Sequence, residues 1–381
     1  MQQEVGEVTD GPLALPVAAA GKGQSNLQKA LTRQLETTLF QRLDVDIRAL
    51  APDDMRRCSW LNVDKFSTTW VSAWPDADAF LANAEFSEVT TFYFGLPSPA
   101  CRPMVGQRVG TSRMVLDAYG NRLTTLPLPG DGWRTQHDAI KWKLSADMLD
   151  MHVRSSTEVY GLFAPLIPQI GRNRLDGEPR RKRQGLVPDF MVYERSQGME
   201  LPCFIELKTL HFGSSTYPLN LQSRCEAVAR RAAGLHGEYC EKARSVDTSY
   251  CETLDGHVGP VLQKLLSYGH VRGVVFGAWA ESSPDTERLL SQLARQGANA
   301  KWRQMGSNDP ESAVGCLAWL LRRRWGLTAL RECARLKLER LAYVGRGAAA
   351  ADERRRASIA AHASRARFYN NARASFERRR R

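Results

Sequence analysis

The chain has 381 residues, of which 43% are hydrophobic and 25% are charged. This composition is typical of a soluble protein with two or three domains and excludes a fibrous or largely disordered chain. Its 53 basic and 41 acidic residues leave a formal net charge of +12, which favours a polyanionic partner such as nucleic acid, although generic basic proteins carry a similar surplus. No run of 18 apolar residues is present, so no membrane-spanning helix and no membrane partner are predicted.

The eight cysteines are scattered without a Cys-x-x-Cys pair. The residues before the mildly apolar stretch 13–20 are acidic, where a secretory leader needs basic ones. We therefore expect reduced thiols and an intracellular protein, nuclear in a eukaryote and otherwise cytoplasmic. His236 and Cys240 are spaced as zinc ligands could be, but a second closely spaced pair is missing, so structural zinc is not predicted.

The first part of the chain shows no motif with a chemical role. Residues 1–25 are rich in Gly, Ala, Gln and Val with little periodicity, which predicts a flexible leader. From residue 26 to about residue 50, leucine or isoleucine recurs every four residues, which predicts a helix. We group this helix with the aromatic and proline-containing region that follows as a small mixed N-terminal domain over 26–130.

The region 131–300 contains a regular series of predicted elements, read from hydrophobic periodicity. Leaving aside a short helix over 261–268, the order is helix, three strands, helix, strand, helix. The predicted ranges are a helix over 136–153, strands over 157–163, 187–193 and 203–209, a helix over 223–246 with possible breaks at Gly234 and Gly237, a strand over 271–279, and a helix from Pro284 to about Arg295. Because the turn-forming residues 195–198 join the two middle runs, those runs are predicted to form a β-hairpin.

The end of the chain is strongly basic. Leucines alternate with many arginines over 311–344, which predicts a helical subdomain over 301–345 that packs on the core. The basic face of this subdomain would turn either to nucleic acid or simply to solvent. The tail over 346–381 contains Arg354–Arg356 and Arg378–Arg381 and is predicted to be a nucleic-acid-binding extension.

Three charged residues stand at otherwise apolar positions of the hairpin: Asp189, Glu206 and Lys208. Side chains alternate along a strand, so Glu206 and Lys208 share one face, and an Asp on the neighbouring strand can meet them. Two carboxylates supply hard oxygen ligands for Mg²⁺, and a lysine can position or deprotonate an attacking water. The alternative is a surface hairpin with solvated charges, but both strands are too apolar to be freely exposed.

Pro188-Asp189 and Glu206-Leu207-Lys208 resemble the motifs of the PD-(D/E)XK nuclease superfamily. The predicted element order matches the core that this resemblance implies, an α/β fold with α-β-β-β-α-β order and a mixed sheet flanked by helices. By the resemblance, Asp189 and Glu206 would bind Mg²⁺, or Mn²⁺ in its place, and the Leu207 carbonyl would complete the coordination. Lys208 would serve the attacking water.

A second resemblance covers roughly residues 131–300. The run Arg134 to Ile140, followed by a helix, an acidic strand and the two charged strands, is similar to the restriction-like endonuclease region of some non-LTR retrotransposon proteins. Those proteins usually present Arg-His-Asp or Arg-His-Asn where this chain has Gln136-His137-Asp138, and their second catalytic strand often departs from Glu-x-Lys. The resemblance implies a mobile-element role. A Tyr-x-Asp-Asp polymerase motif is missing, so a reverse transcriptase is not predicted.

Further residues are candidates for accessory roles. His137 and Glu158 could orient water or complete the metal site, against the alternatives of a packing histidine and a solvated strand residue. A basic cluster a few residues before Asp189 suits phosphate, with a nuclear localisation signal as the alternative; its members are Arg180, Arg181, Lys182 and Arg183. Gln222 and Arg224, at the entry to the next helix, are candidate phosphate contacts, although a polar helix start explains them equally well.

These features together predict a Mg²⁺-dependent DNA endonuclease that hydrolyses phosphodiester bonds through region 131–300. RNA is the alternative nucleic acid, and a homodimer is one of the open oligomeric states. Two other functions remain: a catalytically inactive nuclease-fold protein that binds DNA or RNA, and a basic RNA-binding accessory factor in which the hairpin charges are only structural.

Overall fold

The computed structural model describes residues 23–61, 64–72, 80–177, 186–196 and 199–345. The chain divides into two compact units, Met1–Trp60 and Leu61–Arg381. The predicted basic cluster 180–183 and the tail 346–381 lie outside the described residues, so the roles assigned to them stay predictions. Within the described part of the chain, no helix is long and apolar enough to cross a membrane.

The first unit contains helices α1 (Gly23–Arg48) and α2 (Met55–Trp60) in its described part. The predicted helix over 26–50 is therefore confirmed to within a few residues. Trp60 donates its indole N–H to Asp44 over 2.7 Å, and the ring centroids of Trp60 and Phe40 lie 5.4 Å apart. These contacts pack the end of α2 against α1.

The second unit begins with three short helices and one long one. Asp64 caps the first of them, because its side chain accepts a hydrogen bond of 2.7 Å from the Ser67 amide. The long helix confirms the helix predicted over 136–153, shifted by a few residues. The four helices are α3 (Lys65–Thr69), α4 (Asn83–Tyr93), α5 (Asn121–Thr125) and α6 (Gly132–Asp150).

A four-stranded mixed sheet forms the centre of the second unit. Its spatial order is β1-β2-β3-β4; the first three strands are antiparallel, and β4 runs parallel to β3. The predicted hairpin and the predicted strand near 271–279 are confirmed. The strands are β1 (Ser155–Thr157), β2 (Phe190–Ser196), β3 (Met199–Thr209) and β4 (Arg272–Phe276).

The strand predicted over 157–163 is wrong in its extent, because β1 ends at Thr157. Glu158 still donates its amide to the Asp189 carbonyl over 3.2 Å. Its φ angle is 48°, however, and this left-handed conformation turns the chain away from the sheet. Most of the residues over 158–163 therefore form a turn instead of extending β1.

Five more α-helices complete the described part of the second unit. The predicted order of helix, three strands, helix, strand, helix is found with one difference: an unpredicted helix, Gln169–Gly177, lies between β1 and β2. The helix after β3 runs through Gly234 and Gly237 without a break. Ser283 caps the helix after β4 as predicted, by accepting from the Thr286 amide. These helices are α7 (Gln169–Gly177), α8 (Arg224–Tyr250), α9 (Pro260–Ser267), α10 (Pro284–Lys301) and α11 (Pro310–Arg340).

Apolar side chains cover both faces of the sheet. Ile205 and Leu207 of β3 are buried in the main core, which also contains side chains of α6, α10 and α11. Phe204 lies on the other face, in a second cluster with side chains of α8 and α9. The mixed α/β class is therefore confirmed. Because side chains alternate along β3, Glu206 and Lys208 lie on the face of the sheet opposite to Ile205 and Leu207.

Helix α11 does not present the basic face that the sequence suggested. Arg322 donates to Glu287 over 2.9 Å, and the Arg324 guanidinium lies 3.9 Å from Asp147. Arg323 is buried, with its guanidinium 4.2 Å from the centroid of the Trp319 ring. Arg322 and Arg324 thus pair with carboxylates of other elements, whereas Arg323 packs on an aromatic ring of α11 itself.

Candidate active site at the junction of β2 and β3

The charged residues of the hairpin meet where β2 begins. Asp189 directly precedes β2, and Phe190 pairs with Ile205 of β3 in the antiparallel register. The Leu207 amide donates a hydrogen bond of 2.8 Å to Oδ2 of Asp189. The structure thus brings the predicted Asp onto the backbone of the Glu-x-Lys run of the adjacent strand.

Glu206 lies on the face of β3 that is covered by α8, and it is 6% exposed. Lys208 donates to one of its carboxylate oxygens, Oε1. The hydroxyl of Tyr239, from α8, donates to the other, Oε2, over 2.5 Å. Both oxygens are therefore held by named donors, which fixes the orientation of this carboxylate.

The carboxylates of Glu206 and Asp189 act on each other electrostatically. Burial raises the pKa of Glu206, and the charge of Asp189 raises it further, while Lys208 and Tyr239 counteract this in part. Burial also raises the pKa of Asp189, but the hydrogen bond and charge of His137, the charge of Lys208 and the Leu207 amide together outweigh this and leave that pKa lowered. Two like charges in a desolvated place are unfavourable unless a cation lies near them.

His137 reaches Asp189 from α6. Its Nε2 lies 3.2 Å from Oδ2 of Asp189, and its Nδ1 lies 3.2 Å from Oδ1 of Asp138. Burial lowers the pKa of His137, but the hydrogen bonds with Asp138 and Asp189 outweigh it and raise the pKa to about 9. At neutral pH an imidazolium therefore lies between two carboxylates, so His137 belongs to the site.

Glu158 lies at the edge of this group and has different partners. Its carboxylate accepts from Lys141 over 2.5 Å and from the Tyr160 hydroxyl over 3.0 Å. Lys141 also donates to Asp138 over 2.9 Å and is itself 2% exposed. The Glu158 carboxylate is thus paired with a lysine of α6.

The donor set at Asp189 and Glu206 fits a divalent cation. Oxygen ligands suit Mg²⁺ and Mn²⁺, and a cation would relieve the repulsion between the two carboxylates. Leu207, between Glu206 and Lys208, provides the backbone carbonyl that the sequence suggested as a further ligand. Over the described ranges, no group of three or more His, Cys, Asp or Glu side chains is placed to hold a metal ion, so such a centre would use these two carboxylates with backbone oxygen or water.

Comparison with protein-family models, with curated proteins and with solved structures found no significant match. The geometry of the site therefore carries the functional argument.

Of the two predicted phosphate contacts near α8, Arg224 does not fit the structure. It is 1% exposed, its Nε donates to the Leu61 carbonyl over 2.9 Å, and its guanidinium lies 4.9 Å from the centroid of the Trp279 ring. A buried guanidinium cannot reach a phosphate in solution, so this assignment is corrected to a packing role. Gln222 is exposed just before α8 and stays a candidate.

Three residues of the site were not predicted. Asp138 and Lys141 extend it along α6, and their spacing of three residues was a usable signal, because side chains at i and i+3 are neighbours on a helix. Tyr239 had no such signal. It lies 33 residues after Glu206, and only the packing of α8 on the sheet brings the two together.

Proposed function

We propose that the chain is a metal-dependent endonuclease of the PD-(D/E)XK type that hydrolyses phosphodiester bonds in DNA. The observation that carries the proposal is the convergence of Asp189, Glu206, Lys208 and His137 at the junction of β2 and β3. These residue types supply carboxylate ligands, an ammonium beside the ligands and a cationic imidazole.

The architecture around these residues supports the same proposal. Helix α6 precedes three antiparallel strands, α8 follows them, and β4 joins the sheet parallel to β3. Apart from α7, which lies between β1 and β2, and α9, which precedes β4, this agrees with the α-β-β-β-α-β order that the motif resemblance implies. The Asp at the start of the second strand and the Glu-x-Lys run in the third occupy the positions expected for such a core.

Side chains and backbone groups of the chain would position the metal ion, its ligands and the attacking water. Asp189 and Glu206 would hold a divalent cation together with the Leu207 carbonyl, and this ion would neutralise charge on the phosphate and activate water. His137 and the Leu207 amide hold Asp189, whereas Tyr239 holds Glu206. The Lys208 side chain is 33% exposed, so its ammonium can hold a water from the solvent side for in-line attack.

The choice of a nucleic acid as the substrate rests on charge. The chain has a net charge of +12, and phosphate contacts supply most of the sequence-independent affinity for nucleic acid. Arg134, in the first turn of α6, has a side chain that is 69% exposed, and its Nε lies 3.6 Å from Oδ2 of Asp138. The basic cluster 180–183 precedes Asp189 in sequence. A role in a mobile element is part of the proposal and rests on the resemblance of the Arg134 to Ile140 run.

One observation favours a second function. Both carboxylate oxygens of Glu206 are already engaged, by Lys208 and by Tyr239. A nuclease-fold protein that binds DNA or RNA without cleaving it would keep this arrangement permanently. In a nuclease, by contrast, Glu206 would exchange its bond with Lys208 for the metal.

The test is cleavage of supercoiled plasmid DNA by the full-length protein with Mg²⁺ or Mn²⁺. We expect nicked or linear product from the native protein and none from Glu206→Gln. Glu241→Gln is the matched control, because Glu241 lies on α8 with a side chain that is 74% exposed. If native protein and Glu206→Gln are equally inactive while both bind DNA, the non-cleaving function replaces the nuclease.

A further inference from the structure

Lys141 is a buried cation between two carboxylates beside the candidate active site. Its ammonium contacts Oδ1 of Asp138 over 2.9 Å and Oε1 of Glu158 over 2.5 Å. The lysine side chain is 2% exposed, whereas the side chains of Asp138 and Glu158 are 31% and 32% exposed. Solvent therefore reaches the carboxylates but hardly reaches the ammonium that joins them.

Both acidic residues are connected to Asp189, one through His137 and the other through its own backbone amide. Asp138 contacts His137, and His137 contacts Oδ2 of Asp189. Glu158 donates its amide to the carbonyl of Asp189 over 3.2 Å. Two acidic side chains thus flank one of the proposed metal ligands, and a lysine lies where their oxygens converge.

The backbone of Glu158 indicates that this convergence is specifically maintained. Its φ angle of 48° is in the left-handed region, which residues other than glycine seldom adopt. The surrounding structure has to hold such a conformation. Here the Glu158 carboxylate is held by Lys141 and by the Tyr160 hydroxyl, so the side chain is directed onto the ammonium.

We propose that Lys141 takes the place of a second metal ion, so that each chain binds one divalent cation, at Asp189 and Glu206. This inference rests on the proposed function. Asp138 and Glu158 would offer a second cation hard oxygen ligands next to Asp189. The ammonium of Lys141 already supplies the positive charge and occupies the space between these oxygens.

The number of bound ions tests this inference without any cleavage assay. Calorimetric titration of the metal-free, full-length protein with MnCl₂, in the absence of DNA, gives the stoichiometry directly. We expect one ion for the native protein and two for Lys141→Met, which keeps most of the side-chain volume but removes the charge. Lys143→Met is the matched control on the same helix. Lys143 pairs with Asp147, on the buried side of α6, and this variant is expected to bind one ion.

Two results would overturn the inference: two ions on the native protein, or a single ion on a Lys141→Met variant whose circular dichroism is native. If Lys141→Met does not fold, Glu206→Gln decides. We expect it to bind no Mn²⁺ over the concentration range that saturates the native protein, and an ion retained by this variant would mean that the second pair of carboxylates holds metal despite Lys141. A native protein that binds no ion at all would instead contradict the proposed metal centre.

Discussion

Two buried groups of polar and charged residues in this protein resemble each other in their hydrogen bonds but differ in their balance of charges. The hairpin cluster consists of Asp189, Glu206, Lys208 and His137. The loop cluster consists of Arg224, Tyr217, Trp279 and Glu281 and lies at the loop after β4. In each cluster a tyrosine hydroxyl donates to a buried glutamate over 2.5 Å.

The glutamate of the loop cluster has two hydrogen-bond donors and one opposite charge near it. Glu281 is 0% exposed, and it accepts from the Tyr217 hydroxyl and, over 2.9 Å, from the Trp279 amide. Burial raises the pKa of Glu281, and the charge of Arg224 opposes this rise. The Glu281 carboxylate thus has the Arg224 guanidinium as its opposite charge, and both side chains are buried.

The hairpin cluster has a different balance, because two carboxylates act on each other and the lysine beside them is partly exposed. Burial and hydrogen bonding alone therefore do not distinguish a functional group of charges from a structural one. The feature that distinguishes a functional group is a pair of like charges close together and near solvent. The repulsion between them is only partly compensated by the protein's own cations, so an external cation would bind there favourably.

The largest expected effect is on cleavage. Glu206→Gln should lower the single-turnover rate by about 10³-fold, because it removes a ligand at which charge is stabilised. Glu281→Gln should change the rate of the folded protein by less than about threefold, since Glu281 has no reacting group to serve. The measurement is single-turnover cleavage of a labelled duplex. Similar losses in both variants would contradict the division between the two clusters.

A substitution in the loop cluster should instead have its main effect on the free energy of unfolding. Arg224→Met leaves Glu281 buried without its opposite charge, and we expect a loss of about 3 kcal/mol in the free energy of unfolding. Arg244→Met, at a surface pair on α8, should cost less than about 1 kcal/mol. Urea denaturation of the metal-free protein provides both values. An Arg224→Met variant as stable as the native protein would show that the charge of Arg224 does not stabilise the buried Glu281.

The pH dependence of stability separates His137 from an ordinary surface histidine. Its pKa in the folded protein is raised to about 9 from an ordinary value of 6.5. A raised pKa contributes stability that is fully present below the unfolded-state value and is lost as the pH rises through the folded-state value. The native protein should therefore exceed His137→Gln by about 2 kcal/mol near pH 6, and this advantage should shrink as the pH rises through about 9.

Urea denaturation at about pH 6 and about pH 9.5 checks this prediction. His257→Gln, which alters an exposed histidine, should show no comparable change between the two pH values. A constant difference between the native protein and His137→Gln would mean that the imidazole is neutral in the folded state.

The smallest expected effect distinguishes the two tyrosines. Tyr239→Phe removes the hydroxyl that holds Oε2 of Glu206 and should lower cleavage about tenfold, as is typical when a group that orients a metal ligand is lost. Tyr217→Phe removes the equivalent bond to Glu281 and should lower stability by about 1 kcal/mol without a change in the rate of the folded protein. Equal rates for the two variants would assign Tyr239 to packing alone.

Local patterns predicted much of this fold. Period-two and period-3.6 spacing indicated the hairpin, β4 and the long helices, because these elements bury one face each. The meeting of Asp189 with the Glu206 strand followed from strand alternation alone. The end of β1 was missed, because the turn at Glu158 depends on a left-handed residue that the sequence does not mark.

The parts that were not predicted depend on contacts between distant segments. Tyr239 reaches Glu206 only through the packing of α8, and Arg224 is buried because Leu61 and Trp279 lie against it. Neither partner of Arg224 is near it in sequence. A polar residue at a helix start gives no indication of which surface will cover it.

The internal placement of Arg322, Arg323 and Arg324 has a consequence for how this chain could evolve. Arg322 and Arg324 pair with carboxylates and Arg323 is buried, so these arginines are not available to tune affinity for a polyanion. The segment 346–381 alone contains eleven arginines and only three acidic residues, which accounts for most of the net charge. On the proposed function, changes in the charge of this segment would alter affinity for nucleic acid while the residues around Asp189 stay unaltered.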